Sequence, residues 1–177
     1  MQRRAVAQAC ALFLGTGVLG CRDEAVVIEG APSTPLLEGF SSRQKIADVE
    51  GSLRREGRSI TVVEAGADLS AQQKSDRPFL SVRILRVTPF KLWEVDGELR
   101  LEFVNGELAS TWFYPANPRD LEVAMTRRSL TVGPNGTLRP HAGTELRAGV
   151  DFTGAKYWAW EDVHLRQEVE RWIKQNA

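Results

Sequence analysis

ELRLEFVNGELASTWFY, residues 98–114, carries the clearest hairpin signal in the chain. At its centre, Asn105-Gly106 is a residue pair that tolerates positive φ at both central positions of a two-residue type I′ turn. Such a turn pairs Val104 with Glu107. Outward along one apolar face it then pairs Phe103 with Leu108, Leu101 with Ser110 and Leu99 with Trp112. The opposite face is mixed, and this division predicts a one-sided antiparallel sheet.

Two amphipathic helices are predicted, one before the strands in the sequence and one after them. Ser41-Ser42-Arg43-Gln44 fits a capping box, in which Ser41 and Gln44 satisfy each other's free backbone amides. An apolar stripe at helical spacing follows it, formed by Ile46, Val49 and Leu53. The second helix is predicted from about Asp162, and its packing side is formed by Leu165, Val169, Trp172 and Ile173.

Further strands are predicted from β-branched and alternating runs. They cover 59–64, 79–87 with a bulge near Ile84-Leu85 and a stop at Pro89, 146–152, and a neighbour over 157–160. Asp96-Gly97 offers another tight turn, and Leu121, Val123 and Met125 alternate as in a strand. The pattern predicts an α+β fold, an antiparallel β-sheet packed against an N-terminal and a C-terminal helix.

The composition is that of one ordinary globular domain. The chain has 177 residues, 42% hydrophobic and 26% charged, with 23 Lys+Arg against 23 Asp+Glu. No basic excess is available to neutralise a phosphate backbone, so nucleic acid is not expected as a partner. Two cysteines, Cys10 and Cys21, are too few for a zinc site built on several thiolates.

The N-terminal segment contains a second strong motif, Val18-Leu19-Gly20-Cys21. It follows a positive region with Arg3 and Arg4 and an apolar run from Ala9 to Leu19, which is shorter than a membrane-spanning helix. This order resembles the signal peptide and lipobox of bacterial lipoproteins. The resemblance implies cleavage before Cys21 and acyl chains, palmitate among them, on that cysteine. The alternative is an ordinary cleaved signal that happens to contain a cysteine.

The resemblance also implies a domain organisation and a location. Residues 1–20 are expected to be the signal peptide, 21–38 the lipidated cysteine with a flexible tether rich in Pro and Gly, and 39–177 a single α+β domain. The expected partner is a membrane of the bacterial cell envelope, reached through the anchor on Cys21, together with an envelope protein. Arg22 rather than an aspartate follows Cys21, which favours the outer over the inner membrane.

Residues with catalytic chemistry are sparse. His141 and His164 lie in no metal-ligand spacing, so we expect no metal, no cofactor and no catalytic residue of a known motif. The acidic run Glu94, Asp96, Glu98 and Glu102 is typical of the solvated face of a sheet, with a carboxylate-pair active site as the alternative.

Aromatic residues near the C-terminus offer a possible binding surface. Tyr157, Trp158 and Trp160 could form a platform for a sugar, a peptide or a lipid headgroup, or the two tryptophans could fill the core under the last helix. Trp112 and Trp172 are assigned to the core.

Two segments of the domain resemble a known family. Gly39-Phe40-Ser41-Ser42-Arg43-Gln44, with Ile46 and Gly51, and the hairpin from Leu99 to Leu108 are similar to the small accessory lipoproteins of the outer-membrane β-barrel assembly machine. The apolar position after Gln44 is shifted by one, the ending of the family motif is missing, and the chain continues past the hairpin. The resemblance implies helices packed on a small antiparallel sheet behind a lipobox, and no specific function.

The sequence therefore favours a non-enzymatic, membrane-anchored envelope lipoprotein with a binding or assembly role. Two alternatives from other classes stay open. One is an envelope hydrolase that uses carboxylates around Glu94–Glu102, and the other is a ligand-binding or sensor domain that uses Trp158 and Trp160.

Overall fold

A computed structural model describes residues 32–65, 81–133 and 136–176. The described strands form one antiparallel sheet in the order β1-β2-β3-β4-β7-β6-β5. They are β1 (Ile60–Ala65), β2 (Val82–Leu92), β3 (Val95–Val104), β4 (Glu107–Pro115), β5 (Thr137–His141), β6 (Thr144–Val150) and β7 (Lys156–Asp162). The helices are α1 (Ile46–Arg55), α2 (Pro118–Thr126) and α3 (Val163–Asn176). The predicted α+β class with an antiparallel sheet is confirmed.

One face of the sheet carries the core. Its largest fully buried side chains include Phe103, Phe113, Leu99, Leu101, Leu146 and Trp160. Helix α1 adds Val49 and Leu53 to this core, and α2 adds Leu121 and Met125. Both helices therefore bury their apolar stripes on the same side of the sheet.

The β3–β4 hairpin turns where the sequence indicates but changes register two residues later. Asn105 and Gly106 have φ of +50° and +79°, and Phe103 pairs with Leu108 as predicted. A β-bulge at Ala109 then pairs Glu102 with Ser110, so every later pair is shifted by one residue. The prediction that Trp112 is a core residue is wrong, because the shift exchanges the faces of the strand and buries Thr111 and Phe113 instead.

The turn before β3 also differs from the prediction. Trp93 and Glu94, with φ of +51° and +68°, connect Leu92 to Val95, so the predicted turn at Asp96-Gly97 is wrong. Gly97 lies inside β3, where a Cβ atom would stand 2.7 Å from the ring of Phe113. Strand β2 passes through Pro89 with a register shift between Val87 and Phe90, and so it does not end at that proline.

Residues 118–126 form a helix where the alternation of Leu121, Val123 and Met125 predicted a strand. The side chain of Asn117 caps the helix by accepting a hydrogen bond from the backbone amide of Arg119 at 3.1 Å, and Pro118 follows the cap. Val123 is 51% exposed, whereas Leu121 and Met125 are buried, which is the pattern of a helix with one packed face.

The N-terminal part of the described chain is folded, not a tether. Leu36 and Leu37 are buried, and the backbone amide of Thr34 donates to Oγ of Ser42 at 2.9 Å. The expected flexible tether over 21–38 is therefore wrong for residues 32–38, because they pack on the domain; residues 21–31 lie outside the described residues.

Helix α1 begins at Ile46, five residues after the predicted start. The backbone amide of Ser41 donates to the side-chain oxygen of Gln44 at 3.1 Å, as in a capping box. Residues 43–46 nevertheless bond to the β3–β4 turn, since Arg43 and Ile46 donate to the carbonyls of Leu108 and Gly106. The hairpin thus holds this segment out of the helix, with Arg43 at a φ of +65° and Lys45 extended, until the helix starts at Ile46.

Helix α3 follows β7 directly. One carboxylate oxygen of Asp162 accepts from the amides of His164 and Leu165, and Leu165 is buried. Ile173 is 47% exposed, so the predicted packing side does not continue to the end of the helix. No helix in the described ranges is long and apolar enough to cross a membrane.

Candidate functional site

The face of the sheet opposite the core carries a connected set of charged and aromatic side chains, which we call the polar face. Its members are Arg86 from β2, Glu98, Arg100 and Glu102 from β3, Ser110, Trp112 and Tyr114 from β4, Glu145 and Arg147 from β6, and Tyr157 and Glu161 from β7. Cross-strand pairing places these residues in adjacent rows, because side chains at alternate positions share one face.

An aromatic cluster occupies the centre of the polar face. The rings of Trp112 and Tyr157 stack with centroids 4.8 Å apart, and Tyr114 lies 5.5 Å from Tyr157. The guanidinium of Arg100 stands 3.8 Å above the ring of Tyr114, and that of Arg147 lies 5.4 Å from Trp112. Such cation–π contacts fix the planes of both partners.

Arg147 connects the aromatic cluster to an ion-pair network. Its Nη2 lies 2.6 Å from Oε1 of Glu161, while its Nη1 donates to the hydroxyl of Tyr157 at 3.0 Å. Arg166, from α3, joins Glu161 at 3.0 Å to Glu145 at 2.9 Å. The hydrogen bond from Arg166 outweighs burial and lowers the pKa of Glu145.

A second network lies on β2 and β3. Glu98 accepts from Arg86 at 2.7 Å and from Arg100 at 2.6 Å. Burial alone would raise the pKa of Glu98, but the hydrogen bonds from these two arginines outweigh it and the pKa is lowered. This carboxylate is therefore charged and occupied by structural partners.

Glu102 has a different environment. Burial raises its pKa, and Ser110 donates a hydrogen bond to its Oε2 at 2.6 Å. The hydroxyl of Ser110 in turn accepts from Nε1 of Trp112 at 2.6 Å. Glu102 thus ends a hydrogen-bond chain that begins at the aromatic cluster.

The predicted aromatic platform is divided by the sheet. Trp158 and Trp160 are each 2% exposed and lie in the core, whereas Tyr157 lies on the polar face. Because neighbouring residues of a strand point to opposite faces, the three residues do not form one surface. Of the two alternatives that the sequence left open for Trp158 and Trp160, the structure shows burial in the core and not an exposed platform.

The acidic run is also divided. The side chain of Glu94 is 92% exposed in the β2–β3 turn, and Asp96 is exposed beside it. Glu98 and Glu102 share the polar face but are four residues apart on one strand, which separates their Cα atoms by about 13 Å. The structure does not bring these carboxylates together as a catalytic pair.

The histidines are separated too, with His141 exposed at the end of β5 and His164 exposed in the first turn of α3. Among the described residues, no group of three His, Cys, Asp or Glu side chains could hold a metal ion. A surface cleft of about 500 Å³ lies between α1, the 38–40 loop and Phe90, and it contains none of the predicted site residues. Cys21 and the lipobox lie outside the described residues.

Sequence reasoning missed the polar face as a unit. Glu98, Arg100 and Glu102 alternate along β3, which is a visible signal of one solvated face. Trp112 and Tyr114 join them only because of the bulge at Ala109. The partners Arg147 and Glu161 come from strands that are distant in sequence, so no local pattern indicates the connection.

Comparison with known proteins gives no relative, since no protein-family model and no curated protein sequence matches this chain.

Proposed function

We propose that this chain is a lipid-anchored lipoprotein of the bacterial cell envelope, more specifically of the outer membrane, and that its domain has a non-enzymatic binding or assembly role. Acyl chains on Cys21 would hold the protein at the membrane, because two or more long chains give stable anchoring where one does not. The lipobox Val18-Leu19-Gly20-Cys21 supports the anchor. In this proposal, the sheet that binds the partner is packed against the N-terminal helix α1 and the C-terminal helix α3.

The polar face supports the binding role. Tyr, Trp and Arg are the residue types enriched at protein interfaces, and here they form one contiguous cluster. Trp112, Arg100 and Arg147 are its partly exposed members, and the rings of Tyr114 and Tyr157 are buried beside them. Ion pairs and ring contacts hold Arg100 and Arg147 in place before any partner arrives. A surface ordered in advance loses little side-chain entropy on binding. This preorganised aromatic and arginine cluster is the observation that carries the proposal.

Neither alternative function receives comparable support. A hydrolase around Glu94–Glu102 would need two carboxylates facing one substrate, but Glu98 is bonded to two arginines and Glu102 to Ser110. A ligand-binding surface on Trp158 and Trp160 would need rings that a ligand can reach, and both are buried.

Cell fractionation tests the anchor. With Cys21 intact, we expect the protein in the outer-membrane fraction. The Cys21→Ser variant should lose that attachment and change its electrophoretic mobility, because acylation and cleavage both depend on the cysteine. Retention of the variant in the membrane fraction with unchanged mobility would contradict lipidation.

Photocrosslinking in cells tests the binding role. We would introduce p-benzoylphenylalanine in place of the partly exposed Trp112 on the polar face, and as a control in place of Arg54, which is exposed on α1. We expect a discrete protein adduct from position 112 and none from position 54. Adducts at neither position, or at position 54 alone, would count against a partner on the polar face.

A further inference from the structure

The β6–β7 hairpin presents a fully exposed aromatic ring. Phe152, at the tip of the hairpin, is 99% exposed, and Val150, at the end of β6, is 63% exposed. A phenylalanine of this exposure leaves a large apolar area in water, at a cost that burial of the ring would remove. The tip protrudes, so it is suited to entering another phase or a pocket and not to enclosing a ligand.

Local hydrogen bonds hold the tip in one conformation. Oδ1 of Asp151 accepts from the amide of Thr153 at 2.9 Å, from its hydroxyl at 2.6 Å and from the amide of Ala155 at 3.0 Å. The amide of Asp151 also donates to the carbonyl of Ala155 at 2.9 Å, and Gly154 supplies the positive φ of +86° that closes the turn. Phe152 is therefore displayed by a rigid loop, and inserting it costs little conformational entropy.

Basic side chains lie near the base of this hairpin. Lys156, the cross-strand partner of Val150, pairs with Glu122 of α2 at 2.6 Å, which joins the hairpin to that helix. Arg119 in α2 and Arg127, at the C-terminal cap of that helix, are both exposed and lie next to Glu122 and the exposed Val123. A protruding aromatic residue with aliphatic and basic neighbours matches the chemistry of a bilayer surface, which has an apolar interior and anionic headgroups.

We propose that Phe152 and Val150 insert into the boundary between headgroups and acyl chains of the bilayer to which the protein is anchored. This inference rests on the proposed lipid anchor at Cys21. The insertion gives the domain a second contact with the membrane and so fixes which side of the domain faces the bilayer. A second linked contact also strengthens attachment beyond that of either contact alone.

The length of the chain before the domain permits both contacts at once. Residues 22–31 separate Cys21 from the first described residue, Pro32, and an extended chain of that length spans about 35 Å. Thr34 is held against Thr144, at the beginning of β6, by a contact of 2.7 Å between their hydroxyls. Strand β6 is about 23 Å long, and Phe152 lies just beyond its other end, so the tether can reach past the whole strand.

Photocrosslinking to lipid tests this insertion in the full chain in cells. We would replace Phe152 with p-benzoylphenylalanine, which is close in shape, and compare it with the same substitution at Ile173, an exposed apolar residue of α3. We expect a lipid adduct at position 152, identified by mass, at a yield about tenfold above that at position 173, the factor that burial of one aromatic ring supports. Equal melting temperatures of the two variants would establish that both are folded.

Three results would overturn the inference: a protein adduct at position 152, which would identify a partner's pocket as the occupant; no adduct there; or equal lipid yields at both positions. The test is separable from that of the anchor, because lipidation is read from Cys21→Ser and insertion from the lipid adduct at position 152. A lipid adduct in a chain that is not acylated would leave insertion standing and remove only the anchor.

Discussion

Arg147 is the side chain on which most of the polar face depends. It bonds Glu161 through Nε and Nη2 at 2.9 and 2.6 Å, donates to Tyr157 and lies beside the ring of Trp112. Glu161 is 8% exposed, so it relies on Arg147 and Arg166 for compensation of its charge. Removal of such a partner leaves the charge of a partly buried carboxylate uncompensated, and this destabilises the folded state.

We expect Arg147→Ala to lower the free energy of unfolding by about 2–3 kcal/mol, because it leaves Glu161 undercompensated and uncovers two aromatic rings. The matched control is Arg54→Ala. Arg54 also pairs with a glutamate at 2.6 Å, but its side chain is 62% exposed, and a change of about 0.5 kcal/mol or less is expected. Urea denaturation of both variants measures the difference, and equal losses would show that the network does not stabilise the fold.

Glu102 makes stability depend on pH in the direction opposite to a salt-bridged carboxylate. In the folded state, burial raises the pKa of Glu102 above 4.5, the usual value for a glutamate side chain. The folded state therefore binds more protons than the unfolded state, and stability from this residue is lost as pH rises through the raised pKa.

Glu102→Gln should remove that dependence, since the amide stays neutral and can still accept from Ser110. We expect the stability of the wild type relative to this variant to fall as pH increases above about 4.5. Unfolding curves collected for both proteins from pH 4 to pH 8 test this. A difference that is constant over the range, or that grows in favour of the wild type, would mean that Glu102 has no raised pKa.

Among the elements, strands β3 and β4 approach each other closely at Gly97. Gly97 pairs with Pro115 and Phe90, and the ring of Phe113 occupies the space that a side chain at position 97 would take. Phe90 meets Phe113 edge to face with centroids 6.3 Å apart. The glycine thus allows the two rings to close the end of the core.

Gly97→Ala should destabilise the protein by about 1–3 kcal/mol, the usual cost of overpacking a rigid site. Gly51→Ala is the control with the opposite sign. A Cβ at Gly51 meets nothing within 4 Å, and alanine in a helix interior is favoured by about 0.5–1 kcal/mol. Thermal unfolding of both variants measures the sign of each change in stability. A Gly97→Ala variant as stable as the wild type would contradict the close approach of Phe113.

The elements that the sequence predicted well are those whose conformation is specified by their own residue types. Asn105-Gly106 identifies its own turn, because few other residue pairs adopt positive φ twice. Trp93-Glu94 adopts the same turn without such residues. There the ring of Trp93 is held by Trp160 at 6.2 Å, by Arg128 at 4.6 Å and by a hydrogen bond to Glu38 at 3.1 Å, all distant in sequence. Tertiary contacts of this kind are invisible to a local pattern.

The same reason explains the errors at the candidate site. A single extra residue at Ala109 moves Trp112 to the polar face and Phe113 to the core, and hydrophobicity alone does not distinguish the two registers. Over only three apolar positions, the alternation in 121–125 does not distinguish a strand from a helix. The preceding Asn117-Pro118 is a helix-start signal, and it predicts the observed helix.

At the scale of the whole molecule, the domain begins earlier than the sequence indicated. The backbone of residues 34–42 closes on itself, with the amide of Ser42 donating to the carbonyl of Thr34 at 2.8 Å. Leu36 and Leu37 enter the core at 3% and 4% exposure. Residues 32–38 therefore belong to the folded domain.

Leu37→Ala should therefore destabilise the domain by about 2–4 kcal/mol, as expected for a buried leucine. Val123→Ala, at a position that is 51% exposed, should change stability by about 0.5 kcal/mol or less. Chemical denaturation distinguishes the two. A Leu37→Ala variant as stable as the wild type would mean that this segment is part of the tether after all.

Intact mass spectrometry of the protein extracted from membranes tests most directly whether an acylated Cys21 holds the domain at a membrane, as we propose. We expect a chain that begins at Cys21 and carries the added mass of a diacylglyceryl group, with or without a further acyl chain. A mass for a chain that begins at Met1, or for one that begins at another residue with no lipid, would contradict the claim.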